Sequence, residues 1–235
     1  MILRRFALKY GRFLINFVTH KYKTTCAIHH YGSDRTGILM ADHNERETME
    51  IIYYVASSLD GYIATPDGSV AWLAPFENAS EDYGYTRFYN SVDAVLMGSA
   101  TYEKTLSFGA WPYEGKPSRV FSAREHPVAC PDVVITAADP ADVLNSLACS
   151  GCRRAWLVGG GMLASSFRQR GLISEYIISI IPVILGGGIP LFAPRGFSDR
   201  LKLQESKTYP EGLVQLRYFP VASSVTRGDE GICPE

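Results

Sequence analysis

The chain has 235 residues, of which 46% are hydrophobic and 20% are charged, a composition typical of a folded protein with a sizeable core. The 23 Lys and Arg residues nearly balance the 24 Asp and Glu residues, so the net charge of -1 offers no general attraction to nucleic acids or membrane surfaces. No apolar run reaches the ~18 residues that a membrane-spanning helix needs. These observations exclude a membrane-spanning protein, and we expect a small-molecule partner rather than a nucleic acid or a membrane.

The cysteines and histidines argue against metal chemistry. The five Cys residues are odd in number and irregularly spaced, which is typical of a reducing compartment and predicts a cytoplasmic location. Cys149 and Cys152 form a lone CxxC with no second pair to complete a zinc site, so we interpret them as incidental loop thiols. His126 is the only histidine after residue 43, and its surroundings predict a surface turn. We therefore expect chemistry that needs neither a metal nor a histidine.

Residues 1–48 differ from the rest of the chain, because the first 33 residues carry six Lys or Arg and no acidic residue. Three interpretations stay open: an organelle-targeting segment, a basic amphipathic helix at a membrane surface, or a poorly structured extension from an over-long start. We favour the last, because a complete domain pattern begins at Met49. The predicted organisation is thus an extension over 1–48, one domain over 49–221 and a disordered polar tail over 222–235.

From Met49 onward, buried apolar runs alternate with amphipathic segments. The predicted strands are Ile51–Ala56, Ala94–Met97, Arg119–Ser122, Val133–Thr136, Ala155–Val158, Glu175–Leu185, Leu201–Glu205 and Leu213–Phe219. The predicted helices are Ser80–Ser91 with Ser80 as N-cap, Thr101–Leu106, Ala138–Ala148 with Asp139 as cap, and Met162–Arg170 closed by Gly171. This alternation predicts an α/β fold with three αβα layers, in which a mainly parallel central sheet has antiparallel strands at its C-terminal edge.

The strongest local motif is a buried strand that runs into Gly159, Gly160 and Gly161 and then into a helix that begins with Met162 and Leu163. Glycines allow a ligand to approach the backbone, and a helix start offers unpaired N–H groups and partial positive charge. Both features suit a phosphate or pyrophosphate. The alternative is a glycine-rich tight turn without any ligand.

Two further strand ends carry candidate anion-binding residues. Gly98 is followed by Ser99 and Thr101 at another helix start, and Ser122 and Arg124 follow a third strand. Because ligands of α/β proteins bind at the carboxyl ends of parallel strands, these junctions predict neighbouring phosphate sites. The alternatives are ordinary helix caps and a solvated loop arginine.

Five segments occur in an order that resembles a known family. They are Ala56-Ser-Ser-Leu-Asp-Gly-Tyr-Ile-Ala64, Met97-Gly-Ser-Ala-Thr-Tyr-Glu103, Phe121-Ser-Ala-Arg124, Val158-Gly-Gly-Gly161 and Leu185-Gly-Gly-Gly-Ile-Pro-Leu-Phe192. The series, from Met49 to Pro220, is similar to the dihydrofolate-reductase-like superfamily, and most to the branch with the reductase domain of the riboflavin-biosynthesis deaminase-reductase. The zinc signature of the deaminase is absent from the sequence.

The resemblance implies that NADPH lies across the strand ends. Gly159–Leu163 (Gly159, Gly160, Gly161, Met162 and Leu163) would take the pyrophosphate, Gly98, Ser99 and Thr101 a second phosphate contact, and Ser122 with Arg124 the adenosine 2′-phosphate. Ala56 and the loop Asp60–Ala64, with Ile63, would flank the nicotinamide. Dihydrofolate reductases commonly have Arg or Lys where this chain has Ser99, which weakens the preference for NADPH over NADH.

On the substrate side the resemblance points to Asp82, with Asp60 as a second substrate-binding candidate. A carboxylate at Asp82 could bind a heterocyclic amide edge or relay a proton to a C=N bond, and we predict it as the catalytic residue. The alternative is that an acid in the first helical turn only complements the helix dipole. Candidate pocket aromatics are Trp72, Tyr83, Tyr85 and Trp111.

The resemblance implies hydride transfer from NADPH to the C=N bond of a ribosylaminopyrimidine, as in 5-amino-6-(5-phosphoribosylamino)uracil reductase. A dihydrofolate reductase is the second hypothesis, and a non-catalytic nucleotide- or pterin-binding protein of the same fold is the third. We also expect a homodimer, with the glycine-rich turn Leu185–Phe192 as a candidate subunit contact.

Overall fold

The computed structural model describes residues 49–76, 81–193 and 198–221. The expectations for residues 1–48 and 222–235 lie outside these ranges. No helix in the described ranges is long and apolar enough to cross a membrane. The described residues form one eight-stranded sheet with helices on both faces, together with a separate two-stranded pair.

The strands are β1 (Glu50–Ser58), β2 (Tyr62–Ala64), β3 (Ala94–Gly98), β4 (Ser118–Phe121), β5 (Val133–Thr136), β6 (Arg154–Gly159), β7 (Glu175–Ile181), β8 (Ile189–Pro190), β9 (Leu201–Thr208) and β10 (Val214–Pro220). The helices are α1 (Tyr85–Asn90), α2 (Ser99–Leu106), α3 (Pro140–Cys149) and α4 (Gly161–Gln169), and a 3₁₀ helix covers Ala71–Phe76.

The large sheet has the order β5-β4-β3-β6-β1-β7-β10-β9. Every pair from β5 to β7 is parallel, whereas β10 is antiparallel to both β7 and β9. β2 and β8 form the separate antiparallel pair. The predicted mainly parallel sheet with antiparallel C-terminal strands is confirmed.

The central strands are buried on both faces, which explains their uninterrupted apolar sequences. Ile51 and Tyr53 of β1 pack in one cluster with residues of α3 and α4, whereas Ile52 packs in the other with Phe88 of α1 and Tyr102 of α2. Successive residues of a strand point to opposite faces, so one strand supplies both cores. This arrangement confirms the three αβα layers.

The predicted signals at α3 and α4 act as expected. The side chain of Asp139 accepts a hydrogen bond from the Ala141 amide at 2.9 Å, and Pro140 occupies the first helical position. Gly171, at φ 66°, closes α4, and its amide donates to the Arg168 carbonyl.

The predicted start of the first helix is wrong. α1 begins at Tyr85 rather than near residue 80, because Tyr83 and Gly84 adopt left-handed φ angles of 55° and 77° that a right-handed helix cannot contain. The predicted N-cap Ser80 lies outside the described residues. The predicted strand Glu175–Leu185 is also too long, because β7 ends at Ile181, directly before Pro182, which has no N–H for the ladder.

Candidate functional site

The three predicted phosphate junctions lie side by side at the carboxyl ends of neighbouring strands. β6, β3 and β4 are adjacent in the sheet, with Met97 opposite Gly159 and Gly98 opposite Phe121. The helices α4 and α2 begin directly after β6 and β3. The structure thus brings Gly98, Gly159 and the start of the Ser122 loop to one edge.

The glycine turn after β6 faces the first turn of α2. Gly159 and Gly160 adopt φ angles of 148° and 81°, which residues with a side chain rarely adopt. A Cβ atom at Gly160 would lie 3.6 Å from the Thr101 hydroxyl oxygen, and one at Gly98 would lie 3.9 Å from the Leu163 Cβ. The bare backbone of both junctions therefore meets between the starts of α2 and α4, a place that we call the phosphate crevice.

Both helices at this crevice begin without a side-chain cap. The N-cap residues of α2 and α4 are Gly98 and Gly160, and neither helix has an acidic residue in its first turn. In contrast, the Thr86 amide of α1 and the Ala141 amide of α3 donate hydrogen bonds to the side chains of Asp82 and Asp139. The first N–H groups of α2 and α4 are therefore suited to an anionic ligand, which fits the diphosphate of a dinucleotide.

Gly161 has a packing role beside its predicted contact to the cofactor. A Cβ atom on Gly161 would lie 2.8 Å from the carbonyl oxygen of Pro190 in β8. No side chain fits between α4 and β8 at that distance. The glycine-rich segment Leu185–Phe192 thus packs against the start of α4, while Met162 in the same turn is 65% exposed.

Ser122 and Arg124 lie together just beyond β4, as the motif requires. The Ser122 hydroxyl donates to the Arg124 carbonyl at 3.0 Å and accepts from the Arg124 amide at 3.0 Å. Arg124 is solvent-exposed. A hydroxyl and a guanidinium on one exposed turn suit a phosphate monoester.

His126 contributes to this turn in a way that the sequence interpretation missed. Its side chain is only 7% exposed, with Nε2 2.8 Å from the Ser122 Oγ and Nδ1 3.2 Å from a carboxylate oxygen of Glu103 in α2. The segment is a loop, but the expected surface position is wrong for the imidazole ring, which stands edge-on to the ring of Tyr102. The segment is not a helix, so the spacing of Ser122 and His126 in the sequence gives no signal for this contact.

Asp60 holds two loops together beside the predicted nicotinamide position. Its carboxylate accepts hydrogen bonds from the amides of Leu185 and Gly186 at 3.1 and 2.7 Å. A hydrogen bond from Ser58, followed by these two amides, lowers the pKa of Asp60 below its usual range. The carboxylate is satisfied within the chain, and its contact with a substrate stays a prediction.

Asp82 caps α1 from the preceding turn. Its two carboxylate oxygens accept from the Gly84 amide at 2.8 Å and from the Thr86 amide at 3.1 Å. Burial acts against ionisation, but the hydrogen bonds from Thr86 and Gly84 outweigh it and lower the pKa of Asp82. Geometry supports the capping role, and the catalytic role of Asp82 stays a prediction.

A partly buried polar network that was not apparent from the sequence lies next to Asp82. The Gln215 amide donates to the hydroxyl oxygens of Tyr54 and Ser179, each at 3.1 Å, and the Tyr54 hydroxyl lies 3.4 Å from the Tyr83 carbonyl. Burial, mainly, raises the pKa of Tyr54 to about 12, so its hydroxyl stays a proton donor at neutral pH. Its members come from β1, β7, β10 and the turn before α1, which only the folded chain brings together.

The candidate aromatics divide between two places. Trp72 and Tyr83 pack with Ala56 in a cluster beside the end of β1, whereas Tyr85 and Trp111 pack in the core between the sheet and α2. The indole N–H groups of Trp72 and Trp111 are both buried without a hydrogen-bond partner among the described residues, so the position in the fold decides between the two pairs. Trp72 and Tyr83 are therefore the better placed pair for a pocket next to Ala56.

The comparisons with known proteins agree with this geometry. The sequence profile of the RibD C-terminal domain matches residues 49–215. The chain belongs to the RibD C-terminal domain family. The match begins where the described structure begins and ends within β10, so it spans the large sheet almost completely.

Curated relatives of this family member come from Bacillus subtilis (strain 168). The chain is 37% identical over 176 residues to the uncharacterized protein YwjB, covering 74% of this chain and 98% of YwjB. It is 29% identical over 191 residues to the uncharacterized protein YyaP, covering 74% of this chain and 97% of YyaP.

Solved structures with the same fold include proteins named for riboflavin biosynthesis. One from Shewanella sp. PV-4, named as a candidate riboflavin biosynthesis protein, aligns with a TM-score of 0.67 at 31% identity over 74% of this chain and 99% of that one. The deaminase/reductase of Thermotoga maritima aligns with a TM-score of 0.59 at 18% identity over 75% of this chain and 58% of that one. The fold is therefore that of the riboflavin-pathway reductases, as the resemblance implied.

Proposed function

We propose that this protein is an NADPH-dependent reductase that transfers hydride to the C=N bond of a ribosylaminopyrimidine. The observation that carries the proposal is the crevice between α2 and α4, where two uncapped helix starts and bare glycine backbone meet at adjacent strand ends. The RibD C-terminal family membership supports the choice of ligand and of reaction class.

The chain's residues would bind and orient the cofactor, which supplies the hydride when bound. Gly159–Leu163 would hold the pyrophosphate, and Gly98, Ser99 and Thr101 would add a second contact. Ser122 and Arg124 would bind the 2′-phosphate, and Ala56 and Ile63 would flank the nicotinamide.

The substrate would lie beyond the nicotinamide, against the cluster of Ala56, Trp72 and Tyr83. Asp82 and Asp60 are the acids proposed for this end of the site. The product nitrogen needs a proton, and Asp82 or water could supply it. A homodimer and a cytoplasmic location also stay proposals.

One observation favours a second candidate, a non-catalytic binder of a nucleotide or pterin. The carboxylates of both Asp60 and Asp82 are already engaged by backbone amides, so neither is an uncommitted acid. A binder would keep the phosphate crevice and need no acid at all.

Consumption of NADPH, followed at 340 nm with a ribosylaminopyrimidine and with dihydrofolate, separates these functions. We expect NADPH oxidation with the ribosylaminopyrimidine and little with dihydrofolate. Preference for dihydrofolate would identify a dihydrofolate reductase instead. Tight NADPH binding without oxidation of either substrate would identify a binder and contradict the reductase.

A further inference from the structure

We propose that His126 is a positioning residue that, together with Glu103, orients the Ser122 hydroxyl toward the cofactor's 2′-phosphate and makes selection of NADPH over NADH depend on pH. This inference rests on the proposed function, because it assumes that the Ser122 turn meets the adenosine 2′-phosphate. It adds a residue that the family-like motif of Ser122 and Arg124 does not contain.

The geometry is a continuous chain of three side chains. The imidazole lies between the Glu103 carboxylate at 3.2 Å and the Ser122 hydroxyl at 2.8 Å, and it is 7% exposed whereas the Glu103 side chain is 56% exposed. The nearby Tyr102 hydroxyl accepts from the Ala129 amide at 2.9 Å and donates to the Pro127 carbonyl at 2.6 Å. The loop is therefore fixed to α2 directly after His126.

The partners on either side dictate how the ring can donate. A carboxylate only accepts, so the tautomer that suits the Glu103 contact is the one with a proton on Nδ1, and the charged ring keeps that proton. In the neutral ring, Nε2 is then an acceptor and can accept a hydrogen bond from the Ser122 hydroxyl. In the charged ring, Nε2–H donates to the Ser122 oxygen instead. Protonation thus directs the hydroxyl proton away from the ring.

Phosphate binding is favoured both by a Ser122 hydroxyl that no longer donates to the ring and by the new positive charge on the ring. The Ser122 hydroxyl then has only the Arg124 carbonyl, 3.0 Å away, as an acceptor within the turn. A 2′-phosphate oxygen is a stronger acceptor than a carbonyl because it is ionised.

The charged groups around the ring are few and of opposite sign. Glu103 faces it from α2, and Arg124 and Glu125 lie on the same loop, where both are exposed. Tyr102 faces it from α2 with its edge-on ring. Of these groups, among the described residues, Glu103 is the one with a carboxylate oxygen within ion-pair distance of the ring.

The test uses the full-length chain and two probes, adenosine 2′,5′-bisphosphate and 5′-AMP, which differ in the 2′-phosphate. Their affinities are measured by titration calorimetry from about pH 6 to about pH 8.5 for the wild type and His126→Gln. We expect the wild type to bind the bisphosphate roughly tenfold more tightly than the variant at the acidic end, as for one lost charge-assisted contact, and equally at the basic end. Affinity for 5′-AMP should be the same in both proteins.

Proton uptake gives a second readout. The 2′-phosphate itself ionises near pH 6 and loses its proton on entering a cationic site, which makes both proteins release protons. Titrations in two buffers of different ionisation enthalpy should show that the wild type takes up more protons per bisphosphate than His126→Gln does. Equal proton counts would overturn the proposal.

Glu103→Gln distinguishes positioning from simple electrostatics. If only the net charge mattered, removal of a negative charge near a phosphate would tighten binding. We expect this slight tightening for the matched control, Glu125→Gln. The proposal predicts the opposite for Glu103→Gln, several-fold weaker binding of the bisphosphate at neutral pH, because the charged ring loses its partner.

The outcomes separate this inference from the proposed function. If the wild type binds neither NADPH nor the bisphosphate, the proposed function fails and this inference fails with it. If the wild type binds NADPH but shares one pH profile with His126→Gln, only the inference is overturned. Thermal unfolding of each variant establishes that the folded protein is being compared.

Discussion

At the scale of single residues, the glycines of the crevice differ in what they tolerate. Gly160 has a φ of 81°, so any side chain there strains the backbone before it meets a ligand. Gly98 has a φ of -84° and a ψ of 164°, an extended conformation open to every residue. A Cβ at Gly98 would have the Leu163 Cβ as its nearest neighbour, at 3.9 Å. Gly98 is therefore the cleaner probe of ligand approach.

Gly98→Ala should leave the fold intact and weaken NADPH binding by roughly tenfold to a hundredfold. The added methyl group lies between the starts of α2 and α4, where it would displace the phosphate from the helix N–H groups. Fluorescence or calorimetric titration measures the affinity, and thermal unfolding measures the fold. Unchanged NADPH affinity in a folded Gly98→Ala protein would remove the cofactor from this crevice.

Asp82→Asn tests the two roles of this carboxylate against each other. The amide oxygen can still accept one of the two backbone hydrogen bonds. The free energy of unfolding of the variant should therefore fall by less than about 1 kcal/mol. If Asp82 also serves the substrate, turnover should fall by ~10²–10⁴ while NADPH affinity stays the same. Steady-state rates with saturating NADPH measure this effect. A full rate with slightly reduced stability would leave Asp82 as a cap alone.

The sequence interpretation identified the glycine junctions that the fold brings together on adjacent strands, but it misjudged His126. Glycines at strand ends are visible in the sequence because their spacing follows the local turn from strand to helix. The contact of His126 with Glu103 depends on how α2 packs beside the loop after β4, and no local pattern encodes that packing. The same reason hid the network of Gln215 with Tyr54 and Ser179, which lie on three different strands.

At the scale of elements, strands and helices with local signals were predictable. β5 has the predicted bounds, and α3 and α4 differ from theirs by one or two residues, because Asp139, Pro140 and Gly171 are short-range signals. The start of α1 could not be predicted in the same way. The left-handed conformation of Tyr83 goes with contacts that include its edge-on packing with Tyr209, far along the chain. The β2–β8 pair was missed because its strands are very short and distant in sequence.

The packing of β8 against α4 gives a test at this scale. Gly161→Ala would place a Cβ 2.8 Å from the Pro190 carbonyl oxygen, so the helix start and β8 must move apart. We expect a loss of about 1–3 kcal/mol in the free energy of unfolding, measured with a denaturant. The matched control is Gly187→Ala in the same segment, where a Cβ meets no heavy atom within 4 Å. A control as unstable as Gly161→Ala would contradict this role of the packing.

At the scale of the whole molecule, carboxylates bound to amides and guanidinium groups link stability to pH. Burial opposes ionisation of Asp93, but hydrogen bonds from the Arg153 and Arg154 amides outweigh it and hold its pKa below 3.8. The Arg170 side chain, followed by the Ala141 amide, holds the pKa of Asp139 below the same value. A carboxylate with a lowered pKa in the folded state stabilises the protein above its unfolded pKa and loses that effect as the pH falls.

The contribution of these carboxylates to the free energy of unfolding should therefore be lost as the pH falls below about 4. Urea unfolding at a series of pH values measures this decrease. Asp93→Asn should lower stability at neutral pH and make the acid decrease smaller, because one linked carboxylate is gone. An acid decrease of the same size in Asp93→Asn would assign the linkage to other groups.

The molecule places the phosphate crevice, the Ala56 cluster and the Asp60 loop along one edge of a single sheet. The central claim is that hydride passes from the nicotinamide to the substrate at this edge. The most direct test uses NADPH with both hydrogens at C4 of the nicotinamide replaced by deuterium and analyses the product of a ribosylaminopyrimidine by mass spectrometry. The account predicts a product that carries deuterium on the former C=N carbon, formed together with NADP⁺. A protein that binds NADPH but yields no deuterated product, with a panel of C=N substrates that includes dihydrofolate, would contradict it.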